Sequence, residues 1–422
     1  MDDAAYKPNL LGGFKNNNHS LKVQMKKFWA NLVLATGSIF ISLLVAELAL
    51  RVMGISYPFI YKLNDHSGTA HRPGATGIFS TEGYSHVTIN SHGMRDVEYT
   101  LEKPRDVFRV AVFGDSFTEA LQVELEASFS KVMERELASC PALRGKQAEV
   151  LNFGVSGHGT AQSLQRLRYE GWNFDPDLVV LAFLTGNDIR NNHRALEGDP
   201  YRPYFTLQNG TLALDDSFTK DSGYIFRKKI SGIYDLVKNI WVAQLALYAK
   251  GMVNIYLSTP NNPTPPAKGE TVQQAAKGSE LGLDNAVYLP PPDQNWEEAW
   301  AVSKALVVQM DQEVKKRGKP FLLTTLSNGI QVNPNSEKST SFFKKLGVTD
   351  PFYPDHQLAL LAEKHKIAHL TLAPMLQKWA EKNHTCVHGF NGVCDGHWNQ
   401  NGHRLAGQAM AKEVCRLAAL KL

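Results

Sequence analysis

The sequence predicts an α/β protein built on a parallel sheet and held at its N-terminus by one apolar helix. Three observations predict it. Short runs rich in β-formers alternate with longer helical patterns from about residue 106 to the C-terminus, which gives a parallel sheet covered by helices on both faces. Residues 28–46 run for nineteen positions without a charge. The composition, 43% hydrophobic and 20% charged over 422 residues, supports a large buried core and excludes a mostly disordered chain.

The apolar stretch comes first in the chain. Nineteen residues of helix reach roughly 28 Å, about the hydrocarbon thickness of a bilayer. The alternative of a buried core helix is disfavoured, because helices of this length in soluble proteins normally carry a charged face. A cleavable signal would have a shorter apolar core ending in an A-x-A-like site, whereas this one runs into Ala46-Glu47-Leu48-Ala49. We therefore expect an uncleaved anchor over 28–50, with a cytoplasmic tail at 1–27. Lys22, Lys26 and Lys27 precede it and only Arg51 follows closely, so the positive-inside bias places the later residues outside the cytoplasm. That predicts a single-pass protein of the inner (cytoplasmic) membrane with a periplasmic or extracytoplasmic domain. Trp29 suits the cytoplasmic interface, and Glu47 and Arg51, at i and i+4, can pair at the far one.

Residues 51–105 read as a connecting region of loops and short strands. Strands are then expected at 108–113, 149–155, 178–184, 320–326 and 368–372, and helices at 127–139, 160–172, 296–317, 355–366 and 400–421. The 190–295 stretch interrupts the alternation. It holds a hairpin signal around Asn209-Gly210, an apolar helix near 230–250 and a Pro-rich linker at 259–267. We read it as an insertion after the third strand that covers the strand ends as a partial lid.

Several function classes drop out. Net charge is +4 with no run of five Lys/Arg, so a nucleic-acid footprint is absent and no nucleic-acid partner is expected. The four Cys form no CxxC pair, and the His residues lack ligand spacing, so no metal is expected. Gly154-x-x-Gly157-x-Gly159 reverses the dinucleotide-binding spacing, and Walker A, HExxH and GxSxG are missing. No cofactor is expected. In an oxidising compartment the four Cys could form two disulfides; four buried thiols fit their spacing equally.

In an open parallel sheet, ligands bind outside the carboxyl ends of the strands. The residues at each strand exit are therefore informative. Gly114-Asp115-Ser116 comes after the first strand, Gly154-Val155-Ser156-Gly157 after the second and Gly186-Asn187-Asp188 after the third, while Asp395-Gly396-His397 stands before the last helix. These supply a hydroxyl nucleophile at a strand-to-helix turn, a His near a carboxylate, and a glycine amide and Asn side chain as oxyanion donors. Each piece alone also has a bland reading as a cap or turn; together and in order they point to acyl transfer.

Gly114-Asp115-Ser116-Phe117-Thr118, Gly157, Gly186-Asn187-Asp188 and Asp395-Gly396-His397 resemble the four blocks of the SGNH (GDSL-type) hydrolases. The resemblance covers about 106–190 and 296–422. It implies a flavodoxin-like three-layer α/β/α sandwich with a five-stranded parallel sheet over 106–422. It also implies Ser116 as nucleophile, His397 as base, Asp395 as its orienting acid, and Ser116, Gly157 and Asn187 as the oxyanion hole. The spacing Asp395-x-His397 departs from the commoner Asp-x-x-His, and with Trp398 it looks like anchored polysaccharide-acylating relatives. Because the pair comes after the serine in the chain, hydrolysis is favoured over transfer. The expected activity is an esterase removing acyl groups, acetyl foremost, from an envelope glycan or small ester. The alternatives are an O-acetyltransferase on a cell-envelope polysaccharide and a non-catalytic envelope assembly or binding protein. The partners expected are an acyl ester, such as an acetylated carbohydrate, and the membrane through 28–50. If the resemblance holds, Cys140 and Cys415 are neighbours on one face and pair, and Cys386 pairs with Cys394. His403 is expected in the first turn of the last helix as a structural partner rather than the base.

Overall fold

The computed structural model describes residues 14–258 and 283–420; the linker expected at 259–267 and residues 1–13 of the N-terminal tail lie outside the described residues. The first helix, α1 (Phe14–Met53), is longer than the expected anchor, and its apolar part, Leu21–Met53, is exposed over most of its length, with Leu50 near its end buried. It ends at Gly54, which adopts φ +67. Two antiparallel hairpins come next, Tyr61–Asn64 with Gly68–His71 and Thr76–Phe79 with Ser85–Thr88.

The core sheet has five strands: β1 (Val107–Phe113), β2 (Gln147–Asn152), β3 (Leu178–Leu184), β4 (Phe321–Leu326) and β5 (Ala368–Thr371). They lie in the order β5-β4-β3-β1-β2 and every pairing is parallel. That is the flavodoxin-like order, whose ligand crevice opens where β1 and β3 send their helices to opposite faces. All residues of β1, β3 and β4 are buried, as continuous apolar strands covered on both sides must be. The second strand ends at Asn152 rather than 155, although Phe153 N still donates to the Val112 carbonyl at 2.8 Å and Val155 N to the Gly114 carbonyl at 3.2 Å as the chain enters the turn that carries Gly157.

Five helices matter for the site and its support: α2 (Ser116–Glu119), α3 (Phe129–Leu137), α4 (Thr160–Tyr169), α5 (Ser222–Val237) and α6 (Trp241–Ser258). Later come α7 (Gln294–Lys316) and, at the end, α8 (Gln400–Ala419), with Ser336–Lys345, Tyr353–His365 and Ala373–Asn383 between them. Of these, Ser336–Lys345 and Ala373–Asn383 are additional to the helices expected from periodicity. One apolar layer joins α4 and α7 to the sheet through Leu164, Leu167, Leu306 and Met310; the other joins α3 and α8 through Phe129, Met133, Met410 and Val414. Gly407 lets α8 approach α3 closely, since a Cβ there would stand 2.7 Å from the Phe129 carbonyl.

Both disulfides form as expected, Cys140–Cys415 with Cα atoms 5.7 Å apart and Cys386–Cys394 at 5.2 Å. The first ties the end of α3 to the end of α8. The insertion departs from expectation. Its hairpin Tyr204–Gln208 with Thr211–Asp215 forms, but α5 and α6 dock on residues 56–76 and on the end of α1 instead of lying over the strand ends. Among its described residues the two ends reach the crevice: Asn191 Nδ2 donates to the Gly157 carbonyl at 3.1 Å, and Asp284 N donates to the Gly186 carbonyl at 3.1 Å.

Candidate active site

The nucleophile turn is set by sterics. Gly114 has no room for a side chain: a Cβ would stand 2.2 Å from Thr118 Oγ1 and 2.7 Å from the Ala182 carbonyl. The chain therefore turns sharply off β1 into the one-turn helix α2. Asp115 caps that helix, accepting the Phe117 amide at 3.0 Å, and Ala120 in the left-handed region (φ 60) ends it. Ser116 is thus held at the first helical position, 7% exposed.

The turn after β2 is fastened to α2. Asn152 Nδ2 donates to the Thr118 carbonyl at 2.7 Å, and a Cβ on Gly154 would meet Glu119 N at 2.4 Å. Gly157 stands at φ +76 with open space beside its Cα. After β3, Asn187 lies beside the nucleophile turn, its Nδ2 3.4 Å from Asp115 Oδ2. Among the described residues no backbone carbonyl takes up the amides of Ser116 or Gly157. The two neighbouring carboxyls, Asp115 and Asp188, are both pushed above the usual carboxylate range, first by burial and, for Asp188, by the field of Asp115. Negative charge beside the three candidate donors is thereby reduced.

The C-terminal block arrives on a braced loop. Asn399 caps α8 through the Asn401 and Gly402 amides. Gly389 N donates to the His397 carbonyl at 2.8 Å, and the Cys386–Cys394 bridge closes the loop between them. Trp398, fully buried, donates its indole N–H to Ser327 Oγ, which also meets His388 Nε2 at 2.8 Å. So supported, His397 places Nε2 2.8 Å from Ser116 Oγ. The Phe117 ring lies 4.9 Å from the imidazole and shields one face.

The carboxylate on the other ring nitrogen is Glu82. Its Oε2 lies 2.6 Å from His397 Nδ1, and its Oε1 accepts the His397 backbone N–H at 2.7 Å. Burial alone would raise the Glu82 carboxyl; the imidazole charge and the two hydrogen bonds outweigh that and hold it below the ordinary value. Asp395, expected in this position, is not there. Its Oδ1 accepts the Gly396 amide at 3.1 Å, and it packs against Gly329. The reason lies in the intervening glycine: Gly396 at φ 94 turns the chain so that Asp395 and His397 leave the loop in different directions. Sequence reasoning misses Glu82 because it sits in the loop-rich connecting region, 315 residues before its partner, with no spacing to mark it.

The connecting region makes a second contact with the site. Glu119, at the end of α2, accepts from Tyr61 Oη at 2.8 Å and from the Ser156 amide at 3.0 Å, with the Ser156 hydroxyl also on it. His71 Nε2 lies 2.5 Å from the same carboxylate. The fully buried Glu119 thus ties the nucleophile helix to the residue before Gly157 and both to the first hairpin.

The remaining histidines near the site are structural. His403 Nδ1 accepts the Phe129 amide at 3.3 Å, and its ring stacks on Phe129. Burial pushes His403 down to about 3 and His388 down to about 4. Both are uncharged in the fold yet would take up a proton in the unfolded chain below about pH 6.5. The unfolded state therefore binds more protons on that side, and stability should be fully present above pH 6.5 and fall as pH drops towards 4. The expected result is a falling melting temperature over that window, with a shallower slope in His403→Asn. An equal slope in the variant would refute a contribution from His403.

No family model and no curated protein matches the chain. Solved structures similar to it include an acetyl xylan esterase (14% identity, TM-score 0.38, covering 73% of this chain and 100% of that one). A catalytic mutant of an acetylxylan esterase from Geobacillus stearothermophilus is similar at 12% identity and TM-score 0.34, covering 73% of this chain and 94% of that one. A protein assigned to the G-D-S-L lipolytic family from Desulfitobacterium hafniense is similar at 10% identity and TM-score 0.32, covering 72% of this chain and 98% of that one. At these TM-scores the geometry of the chain itself carries the functional reading.

Proposed function

We infer that the chain is an SGNH-type serine esterase that acts on acyl esters through an acyl-enzyme. One observation carries this: a continuous Glu82–His397–Ser116 hydrogen-bonded series at the carboxyl ends of a flavodoxin-like sheet. Ser116 Oγ loses its proton to His397 Nε2 as it attacks the ester carbonyl. Glu82 fixes the tautomer with the proton on Nδ1 and stabilises the imidazolium that forms. The developing oxyanion is met by the Ser116 and Gly157 amides and by Asn187 Nδ2, each donor worth about 3 kcal/mol of barrier. His397 then protonates the leaving alcohol, and water, activated by the same imidazole, releases the acid and restores Ser116.

The substrate we propose is an acylated glycan of the cell envelope, with acetyl as the acyl group. What supports it is the apolar α1 ahead of the site and two disulfides behind it, which suit an anchored domain in an oxidising compartment. Hydrolysis is preferred to transfer to a sugar. The Trp398 of the Asp-x-His-Trp pattern faces the core, so it offers nothing to an acceptor.

Purified protein should hydrolyse p-nitrophenyl acetate and be labelled by a fluorophosphonate, and Ser116→Ala should lose both. Hydrolysis at the wild-type rate by Ser116→Ala would end the proposal, and an unlabelled wild-type serine would favour a non-catalytic envelope protein. Product analysis on acetylated envelope glycans, with and without an acceptor sugar, separates free acetate from transfer. For orientation, protease added to spheroplasts should degrade the catalytic domain; protection while external controls are cut would reverse the assignment.

A further inference from the structure

Helix α5 is amphipathic with its faces reversed. Its polar side is bonded to the body of the protein. Tyr224 Oη and Lys228 meet Asp65, Asp235 takes the Arg72 guanidinium at 2.7 Å, and just beyond the helix Lys238 donates to the Pro73 carbonyl at 2.6 Å. Its apolar side points away from the protein. Phe226, Ile233 and Leu236, with Ile240 just beyond the helix, recur on one stripe and are 63%, 62%, 81% and 43% exposed. A helix that folds against a protein in water buries the other face.

The stripe continues into α6, which carries one charge, Lys250, in eighteen residues and leaves Leu245, Tyr248 and Val253 exposed. The pair is fixed to the end of α1. Glu47 accepts the Trp241 and Val242 amides that open α6, at 3.1 and 2.9 Å, and Arg51 donates to the Asn239 carbonyl at 2.9 Å. Gln244, buried on the inner face of α6, accepts from Ser56 Oγ at 2.7 Å and locks the chain leaving α1 against it. At the same level Val52, Met53 and Ile55 are exposed.

We propose that α5 and α6 lie in the headgroup–acyl boundary of the bilayer that α1 crosses, forming a second membrane contact; this rests on reading α1 as a membrane anchor. The exposed stripe enters the acyl region as interfacial amphipathic helices do. Charge selects lipid over a second copy of the chain. Residues 222–258 hold Arg227, Lys228, Lys229, Lys238 and Lys250 against the single acid Asp235, which suits anionic headgroups and sets two copies against each other.

The native cysteines are all in disulfides, so an added cysteine is labelled uniquely. Full-length Ile233→Cys and Leu236→Cys, carrying an NBD fluorophore, are placed in vesicles of phosphatidylcholine and phosphatidylglycerol at 3:1 and quenched with doxyl-labelled lipid. Val45→Cys reports the span and Leu360→Cys the distant surface. The proposal expects about twofold quenching at 233 and 236, as at 45, and none at 360. Quenching at 45 without quenching at 233 and 236 overturns it and leaves the anchor reading standing. No quenching at 45 removes the anchor reading, and the proposal with it. A blue shift at 233 and 236 that grows with protein concentration, without quenching, assigns the face to a second copy and also overturns it.

Discussion

Glu82→Gln is expected to lower kcat on p-nitrophenyl acetate by about 10⁴-fold, while Asp395→Asn changes it by less than about tenfold. The amide keeps an oxygen for the His397 backbone N–H, so the loop can fold as before. What it loses is the charge that fixes His397 with its proton on Nδ1 and balances the imidazolium. With an amide N–H facing Nδ1, the other tautomer is favoured and Nε2 can no longer take the serine proton. Asp395 makes no such contact: its carboxyl is bonded to the adjacent amide and raised by burial. Steady-state kinetics on both variants, with melting temperatures to confirm folding, decide the matter. The reverse ranking would return the acid's role to Asp395.

The second large effect separates two histidines six residues apart in the chain. His397→Ala should reduce kcat by about 10⁴-fold or more, because Ser116 Oγ then has no base within reach. His403→Ala should leave kcat of the folded protein near wild type and instead cost about 1–3 kcal/mol of stability by orphaning the buried Phe129 amide. Urea unfolding together with kinetics at matched folded fraction distinguishes the two. A catalytic collapse in folded His403→Ala with mild loss in His397→Ala would exchange their roles.

The parts of this protein that can be read from sequence are those whose signals are local. Each strand exit carries its own turn chemistry, so Ser116, Gly157 and Asn187 are legible beside the strands that deliver them, and Asn399 announces the start of α8. His397 and His403 are told apart by their place before and after that cap. Glu82 carries no comparable mark, because the acid's only qualification is a tertiary contact. Asp395 looks suitable by proximity alone, and the left-handed Gly396 between it and His397 is what proximity leaves out. The insertion divides in the same way. Its apolar content near 230–250 is visible, although the structure splits it into α5 and α6. Which face of α5 turns outward depends on Asp65, Arg72 and Pro73, over 140 residues earlier.

The distance in chain between Glu82 and His397 also sets an order of assembly. Synthesis runs from the N-terminus, and domains fold as they emerge. On the proposed mechanism, the acid Glu82, the nucleophile Ser116 and the three oxyanion donors are made before residue 190, yet the base His397 comes more than two hundred residues later, just ahead of α8. A nascent chain stalled anywhere in the insertion or in the second half of the sheet therefore holds a shaped but inert serine. On that mechanism, activity requires the last helix to dock on α3 and place His397 between Glu82 and Ser116. On the proposed mechanism, completion of the chain is therefore the activating event.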